Sequence, residues 1–379
     1  MIRPCFLSSG IATHLGVGIA QNLAALHEPP TPPERLLRRI DDRFETIPYK
    51  PLCGFPQASA ENRLDDVIDA VVQEALGEAG LRPSERSRMA LFVGSSSFDI
   101  SVSESRYRKE LASGGDSLPL RSSSFGNLAE AVRHRFGLRG EDYTFNTACT
   151  ASANGAWYAA RLIQKGAIEH ALVLGVELIN DFTALGFFGL GLLTRSTMRP
   201  FDLRRDGLAL GEACSALVLG PGDPDLFHWR GGANVSDTHS LVAAGTDGSS
   251  VAAVIERALA DAGLPASAIT AVRAHGTATP SNDEAEAAGM LRTFVPMPPI
   301  CALKPFIGHT LGACGLTELI LFYRAIERGF LIATPGIGAD RTALGVVLNQ
   351  TERSMTKGHF MLNSFGFGGS NTSLVISRD

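Results

Sequence analysis

One cysteine of this chain lies in a setting that could make it a nucleophile. Cys149 belongs to the segment FNTACTASANG (residues 145–155), among small and hydroxylated residues and directly before a stretch with helical potential. Backbone N–H groups and the positive end of a helix dipole favour a thiolate at such a position. A lone cysteine is more often a buried structural residue, so Cys149 needs partners. That structural interpretation is the one we give to Cys5, Cys53, Cys214, Cys301 and Cys314.

Two histidines in glycine-rich turns are the candidate partners. His275 lies in AHGTATPSND (residues 274–283), and His309 lies in KPFIGHTLGACG (residues 304–315), five residues after Lys304. Turns at strand ends are where α/β folds place reactive side chains. Taken alone, either histidine would be interpreted as a surface residue or a hydrogen-bonded core residue, as the other seven are.

A loop rich in glycine and serine is the fourth candidate feature. The segment NSFGFGGSN (residues 363–371) would let the backbone approach a ligand closely, and its N–H groups could help to hold an oxyanion. An ordinary tight turn and a phosphate-binding loop are the alternatives. The segment matches neither GxGxxG nor a GxxxxGK phosphate-binding loop. Its two phenylalanines fit a gate over an apolar channel better than a phosphate cradle.

The elements that must position these residues alternate between helices and strands, which favours an α/β architecture with buried sheets. Apolar spacing predicts helices at residues 64–79, 153–165, 251–262 and 316–328. Short apolar runs predict buried strands at residues 89–93, 170–176 and 269–274. A surface loop is expected at residues 104–119, and a loop or cap at residues 27–51. Residues 182–194 predict a buried helix or interface segment, too short to span a membrane.

Two similar segments suggest an internal duplication. Residues 206–220 (DGLALGEACSALVLG) and residues 363–376 (NSFGFGGSNTSLVI) each place a glycine-containing turn before a strand with the pattern Ser/Thr-x-Leu-Val. A chance match of this length is the alternative. A real match predicts two similar halves, with a boundary near residues 221–224.

Composition limits the functional classes. The 379 residues are 45% apolar and 19% charged, which predicts a large interior and argues against disorder and coiled coil. A formal net charge of −5 argues against a general nucleic-acid binder. The six cysteines form no CxxC pair, and the N-terminus lacks the apolar core of a signal peptide. We therefore expect a cytoplasmic enzyme with free thiols.

Five segments, in their order along the chain, resemble the motifs of the β-ketoacyl-acyl carrier protein synthases, the elongating condensing enzymes of fatty-acid and polyketide assembly. These segments are TACTAS, RPFDLRRDG, AHGTATPSND, KPFIGHTLGACG and NSFGFGGSN. The resemblance runs from about residue 2 to residue 376. It implies a thiolase-like α/β fold in which two similar βα halves form a five-layer αβαβα core. Residues 1–222 would carry the nucleophilic cysteine, and residues 223–379 the two catalytic histidines.

The resemblance also assigns roles to the matching residues. Cys149 would accept the primer acyl chain from a carrier-protein thioester. His275 and His309 would promote decarboxylation of a malonyl extender and stabilise the resulting enolate, and Lys304 would tune the charge around them. The oxyanion hole would be formed by the backbone N–H groups of Cys149 and Phe367, and the Phe367 side chain would act as a gate.

Further positions are implied by the same resemblance. Thr277 and Thr279 would hydrogen-bond the phosphopantetheine arm of the substrate. Glu286 and Glu318 match acidic residues that are chiefly structural and in some members hold a buried cation. A charge on the surface of a helix is the alternative for both glutamates.

The implied chemistry is an acyltransferase reaction that needs no resident cofactor and no catalytic metal, because the phosphopantetheine arm arrives on the acyl carrier protein. Family members are dimers, so a homodimer is expected, and a heterodimer with a related subunit is equally open. Carrier proteins of this family are acidic and require a basic patch. Candidate contributors are Arg63, the arginines between Arg133 and Arg139, Arg204 and Arg205.

Several positions depart from the family pattern. Asn146 precedes the TAC motif, Arg273 begins the segment that usually reads EAHGTGT, and Leu303 replaces the usual serine or threonine before the lysine. The chain is also short for the family. We therefore predict a specialised condensing enzyme of a polyketide, polyene or related pathway in preference to a housekeeping fatty-acid enzyme.

Two other functions remain open at this point. One is a non-catalytic partner subunit, similar to the chain-length factors that pair with a condensing subunit and usually lack the cysteine. The other is a thiolase-fold enzyme acting on coenzyme A thioesters. The presence of Cys149 disfavours the first function, and the HGTAT and GHTLG pair of motifs disfavours the second.

Overall fold

The computed structural model of the chain describes residues 2–40, 42–55, 60–114, 125–240, 245–340 and 344–379. Its helices are α1 (Ile19–Ala25), α2 (Ala60–Glu78), α3 (Pro83–Arg88), α4 (Ile100–Ala112), α5 (Asn127–Phe136), α6 (Ala151–Gln164), α7 (Asp181–Gly189), α8 (Ser249–Ala262), α9 (Pro280–Thr293), α10 (Lys304–Ile307) and α11 (Cys314–Glu327). Its strands are β1 (Pro4–Thr13), β2 (Gly16–Val17), β3 (Glu34–Ile40), β4 (Arg43–Lys50), β5 (Ala90–Gly94), β6 (Asp142–Phe145), β7 (Ala171–Glu177), β8 (Leu210–Gly211), β9 (Ala213–Pro221), β10 (His228–Ser236), β11 (Ile269–Arg273), β12 (Ile300–Cys301), β13 (Phe330–Leu331), β14 (Arg353–Ser354), β15 (Gly358–Phe365) and β16 (Ser370–Arg378).

A large mixed sheet runs in the order β12-β11-β15-β16-β10-β1-β9-β7-β5-β6. Outward from β1, the pairing is antiparallel to β9, antiparallel to β7, then parallel to β5 and to β6. Outward from β10, the order is the same: the pairings to β16 and β15 are antiparallel, and those to β11 and β12 are parallel. The two sides meet where Cys5 pairs with His228. This repetition supports our proposal that residues 1–222 and 223–379 are two similar halves.

Three clusters of buried apolar residues divide the molecule into layers. The central cluster combines α6 and α11 with one face of each side of the sheet. The outer clusters pack α2 and α5 on one side of the sheet, and α8 and α9 on the other. In β9, for example, Leu217 and Leu219 belong to the central cluster while Ala216 and Val218 belong to an outer one, because successive strand residues face opposite ways. The arrangement is the five-layer αβαβα core of the thiolase-like fold, as predicted.

The helices and strands expected from apolar spacing are confirmed to within a few residues. Burial on both faces of the sheet explains why the strands appear in the sequence as continuous apolar runs. Helix α11 is buried on nearly all sides, as expected of a helix between two sheet layers.

Three local predictions were wrong in whole or in part. Residues 104–112 form part of α4 and not a loop, and an ion pair of 3.9 Å between Glu104 and Arg108 joins successive turns of this helix. Residues 115–119 of that prediction lie outside the described residues. The segment expected as a loop or cap at residues 27–51 contains the antiparallel pair β3–β4, so it is not simply a loop. Helix α7 is not buried, since Phe182 is 75% exposed, and the alternative of an interface segment stays a prediction. Among the described residues, no helix has both the length and the apolar character needed to cross a membrane.

The end of β5 makes a backbone contact with the start of α6 that leaves no room for a side chain. A Cβ atom placed on Gly94 would lie 2.4 Å from both N and Cα of Ser152. Because these are backbone atoms at the first turn of a buried helix, neither side can move away at low cost. Gly94 therefore fixes the position of the helix that follows Cys149.

The first testable prediction concerns this contact. We expect Gly94→Ala to lower the free energy of unfolding by about 1–3 kcal/mol, as for other overpacked interiors. Gly77→Ala in α2 is the control, because no atom lies within 4 Å of the added Cβ and alanine is the better helix former. Thermal unfolding of both variants checks the prediction. Equal midpoints for the two variants would contradict the proposed contact.

Candidate active site

Cys149 is the middle residue of a single 3-10 turn at residues 148–150, between β6 and α6. The preceding residue, Ala148, has a φ of 49°, a left-handed conformation that non-glycine residues rarely adopt. Two other non-glycine residues with this conformation, Ala278 and Leu311, also lie in the predicted site motifs. Backbone strain of this kind is concentrated at functional sites.

His309 is the nearest polar partner of the cysteine. Its Nε2 lies 3.2 Å from Sγ of Cys149. The backbone N–H of Leu311 donates to Nδ1 of the same ring at 3.2 Å. Since Nδ1 accepts a hydrogen bond, the neutral imidazole carries its proton on Nε2. His309 therefore presents an N–H group to the sulfur.

His275 is held in the same tautomer by a different partner. Nζ of Lys304 lies 3.2 Å from Nδ1 of His275 and also donates to the backbone carbonyl of that residue at 2.6 Å. An ammonium group cannot accept a hydrogen bond, so Nδ1 must accept and Nε2 carries the proton. The rings of His275 and His309 lie edge to face with their centroids 5.4 Å apart. Both rings line the cavity at Cys149.

Burial and the charge of Lys304 control the protonation of the site. Both influences hold the pKa of His275 and of His309 well below the usual range, so both rings are neutral at pH 7. Burial raises the pKa of Cys149 to about 11, opposed by the charge of Lys304 and by the backbone N–H of Phe367. The position before a helix, taken alone, predicted that Cys149 would be a thiolate. Burial raises the pKa by more than the helix terminus lowers it, so the resting thiol is protonated.

The two predicted acidic residues lie behind the histidines and are completely buried, so the surface-helix alternative is wrong for both. Oε1 of Glu318 accepts a hydrogen bond of 2.7 Å from Nζ of Lys304. Glu286 accepts the backbone N–H groups of His275 at 2.7 Å and Gly276 at 2.8 Å. Burial raises the pKa of Glu286 to about 7. Both carboxylates thus bind the turn or the lysine that orients His275.

The cavity above the cysteine is small and its walls are largely apolar. It has a volume of about 60 Å³ and is lined by Cys149, Phe187, Leu192, Leu208, Asp237, Ser240, His275, Thr277, Thr279, Ser281, Asn282, His309, Phe365, Gly366, Phe367, Gly369 and Asn371. The ring of Phe367 stacks on that of Phe187, with centroids 5.5 Å apart. The hydroxyl groups of Thr277 and Thr279 are 2.9 Å apart and almost fully buried. The stacked rings thus form part of the wall of this small cavity.

One buried carboxylate at the site was missed by sequence analysis. Glu177 accepts hydrogen bonds from the backbone N–H and hydroxyl of Ser96, the hydroxyl of Ser97, and the backbone N–H of Gly312. It thereby ties the loop after β5 to the turn that contains Leu311, whose N–H orients His309. A charged residue at the end of the otherwise apolar strand HALVLGVE was the available signal.

Two of the proposed carrier-docking arginines are buried in ion pairs. Arg63 makes two hydrogen bonds of 2.5 Å to Glu212, and its side chain is only 6% exposed. Arg205 is 11% exposed and pairs with Glu284. Both assignments are therefore wrong. Arg204 pairs with Asp202 but keeps 66% of its side chain exposed, so it stays a candidate.

Comparisons with known proteins agree with this geometry. Two family models match: the β-ketoacyl synthase N-terminal domain at residues 53–223 and the β-ketoacyl synthase C-terminal domain at residues 230–337. The 3-oxoacyl-(acyl-carrier-protein) synthase 2 of Vibrio cholerae is 29% identical over 336 residues, 80% of this chain and 80% of that protein.

The chain is also similar over its whole length to solved structures of ketosynthases. A β-ketoacyl synthase from Burkholderia phymatum has a TM-score of 0.80 and 28% identity, with all of both chains covered. A ketosynthase in complex with its chain length factor from Xenorhabdus doucetiae shares the fold, with a TM-score of 0.85 at 23% identity, over 100% of this chain and 98% of that one. The chain therefore belongs to the β-ketoacyl synthase family and is an acyltransferase of the ketosynthase type.

Proposed function

We propose that this chain catalyses the decarboxylative Claisen condensation of an acyl group held on Cys149 with a malonyl group carried by an acyl carrier protein. The observation that carries the proposal is that His309 places Nε2 3.2 Å from Sγ of Cys149 while His275 lines the same cavity. Two neutral imidazoles with protonated Nε2 atoms suit a reaction in which a thioester oxygen becomes negative.

The first half-reaction loads the primer. Sγ of Cys149 attacks the thioester carbonyl of the primer, and the backbone N–H groups of Cys149 and Phe367 hold the oxyanion. The carrier's sulfur then leaves and takes up the thiol proton, which balances the exchange. Because the thiol is protonated at rest, no net charge stays in the cavity.

The second half-reaction forms the carbon–carbon bond. The malonyl carboxylate leaves as carbon dioxide, and its electron pair forms an enolate whose oxygen accepts hydrogen bonds from His275 and His309. The enolate carbon attacks the acyl carbonyl, and the bond to Sγ breaks. The products are a β-ketoacyl thioester on the carrier, carbon dioxide and the Cys149 thiolate, which takes one proton from solvent to return to the resting thiol.

The proposed partners follow from the same chemistry. The phosphopantetheine arm is supplied by the carrier protein, its entry contacts are Thr277 and Thr279, and no resident cofactor takes part. A dimer, either with itself or with a related subunit, is the assembly that the family resemblance implies. The departures at Asn146, Arg273 and Leu303 support a specialised polyketide or polyene pathway over housekeeping fatty-acid synthesis.

The role of the cysteine gives the second prediction. We expect Cys149→Ala to abolish acylation by an acyl-carrier thioester and condensation, while Cys149→Gln leaves malonyl decarboxylation measurable because both histidines remain. Protein mass records acylation, and carbon dioxide release records decarboxylation. Cys53→Ala is the control, since Cys53 is exposed and does not line the cavity.

Two outcomes would contradict this scheme. A folded wild-type protein that is not acylated at Cys149 would instead support the chain-length-factor-like function. A Cys149→Gln variant that loses decarboxylation as completely as condensation would contradict the separate roles of the cysteine and the histidines. A preference for coenzyme A donors over carrier-bound donors would support the other thiolase-fold function.

The histidine pair gives the third prediction. We expect His275→Ala and His309→Ala each to slow malonyl decarboxylation by about 10²–10³-fold, the range for removal of one oxyanion-type donor. His134→Ala on α5 is the control, because His134 is exposed and outside the cavity. Decarboxylation that persists at the wild-type rate in either site variant would rule out enolate stabilisation by that histidine.

The aromatic stack gives the fourth prediction. Phe187→Ala removes the stacking partner of Phe367 while the oxyanion-hole backbone stays unchanged. A stacked pair contributes about 0.5–1.5 kcal/mol, so we expect decanoyl loading to accelerate relative to acetyl loading by up to about tenfold. Phe182→Ala in the same helix is the control, since Phe182 is 75% exposed. An unchanged ratio in Phe187→Ala would exclude the stack as a gate.

A further inference from the structure

Arg273, the last residue of β11, is a charged side chain with no exposure to solvent. Its guanidinium donates to the backbone carbonyl oxygen of Asn363 and, at 3.2 Å, to the hydroxyl oxygen of Ser364. Nη1 also lies 3.4 Å from Oε2 of Glu318. A carbonyl, a hydroxyl and a carboxylate that converge in the interior form a site for a cation, and the guanidinium fills it.

The charge of Arg273 is not required to balance Glu318. Lys304 already pairs with Oε1 of this glutamate at 2.7 Å, so two buried cations share one carboxylate. The other buried carboxylate nearby, Glu286, is held by backbone N–H groups and by the side-chain amide of Asn363. Burying an extra charge is unfavourable unless the site uses it.

A bound metal ion does not fit these residues. The family resemblance allowed Glu286 and Glu318 to hold a buried cation. In this chain Nζ of Lys304 donates to Oε1 of Glu318, and Nη1 of Arg273 lies at ion-pair distance, 3.4 Å, from Oε2. Both oxygens of Glu286 accept backbone N–H groups. Within the described residues, no group of three or more histidine, cysteine or acidic side chains could hold a metal. A metal at Glu318 would also face two fixed positive charges.

We propose that Arg273 is the resident cation of this enzyme, a positioning residue whose guanidinium takes the place of a bound metal ion. It joins three elements that meet behind the cavity: β11, which leads to His275; β15, which leads to the loop of Phe367; and α11, which carries Glu318. The arginine therefore fixes the position of His275 relative to the loop of Phe367. This positioning role does not depend on which acyl chain or pathway the enzyme serves.

The test compares thermal unfolding and condensation in different salts. For the wild type we expect the same unfolding midpoint and the same kcat in potassium, sodium and tetramethylammonium chloride. For Arg273→Ala we expect a lower midpoint and a kcat reduced at least about tenfold, with KM changed less than kcat because the residue touches no substrate. Millimolar guanidinium should restore both quantities several-fold, whereas urea, which has a similar shape but no charge, should not.

Arg273→Met is the matched control, because its side chain fills the space without a charge. We expect neither guanidinium nor potassium to improve this variant. A wild-type midpoint that falls when potassium and sodium are replaced would overturn the proposal, as would equal effects of guanidinium on the Ala and Met variants. The unfolding readout stands apart from condensation, so a failure of the proposed substrate chemistry would be recognised separately.

A variant that keeps the charge covers the case in which Arg273→Ala does not fold. Arg273→Lys retains the cation but cannot reach all three oxygens. We expect it to fold with a midpoint between those of the wild type and Arg273→Met, and to be insensitive to potassium. A midpoint equal to that of Arg273→Met would overturn the proposal, because the charge would then have no effect.

Discussion

One buried ammonium group determines the state of the candidate site. Nζ of Lys304 has three N–H bonds and uses them on the carbonyl oxygen of His275, on Nδ1 of the same residue and on Oε1 of Glu318. Because the ammonium can only donate, it fixes the ring orientation and the tautomer of His275. Its charge also helps to keep both histidines neutral. The N–H donor of His275 therefore depends on burial and on this cation, whereas that of His309 also requires the backbone N–H of Leu311.

Burial acts in opposite ways on the nucleophile and on the transition state. It raises the pKa of Cys149 to about 11, which makes the resting thiol a weaker nucleophile than a helix terminus alone would give. The same exclusion of water strengthens every hydrogen bond to a developing oxyanion or enolate. In a site that stabilises transient negative charge, stronger hydrogen bonds to that charge offset the weaker nucleophilicity of the thiol. The stacked rings of Phe187 and Phe367 contribute two apolar walls to the cavity at the sulfur.

Elements and site residues could be predicted from the sequence where the local backbone requires particular residue types. Contacts between residues far apart in the chain could not be predicted. Glycine framing around His275 and His309 and small residues around Cys149 made these three residues candidates, the family resemblance joined them into one site, and apolar runs located the buried strands. Nothing local distinguishes Arg63 as half of a buried pair with Glu212, which is far away in the chain. Glu177 does carry a local signal, a charge at the end of an apolar strand, but its donors come from two separate segments of the chain. The partners of such residues are known only from the three-dimensional structure.

The position of the site follows from the repetition of the fold. Both central helices begin with the same local structure, a three-residue 3-10 turn whose first residue has a φ of 49° at Ala148 and 45° at Leu311. The helix starts touch because Gly315 has no side chain, and a Cβ there would lie 2.6 Å from Cβ of Ala153. The turn residue equivalent to Cys149 is Gly312, where a Cβ would lie 2.2 Å from N of Ser96. The turn at residues 311–313 therefore has no room for a nucleophilic side chain. It contributes backbone N–H groups instead, and that of Leu311 orients His309.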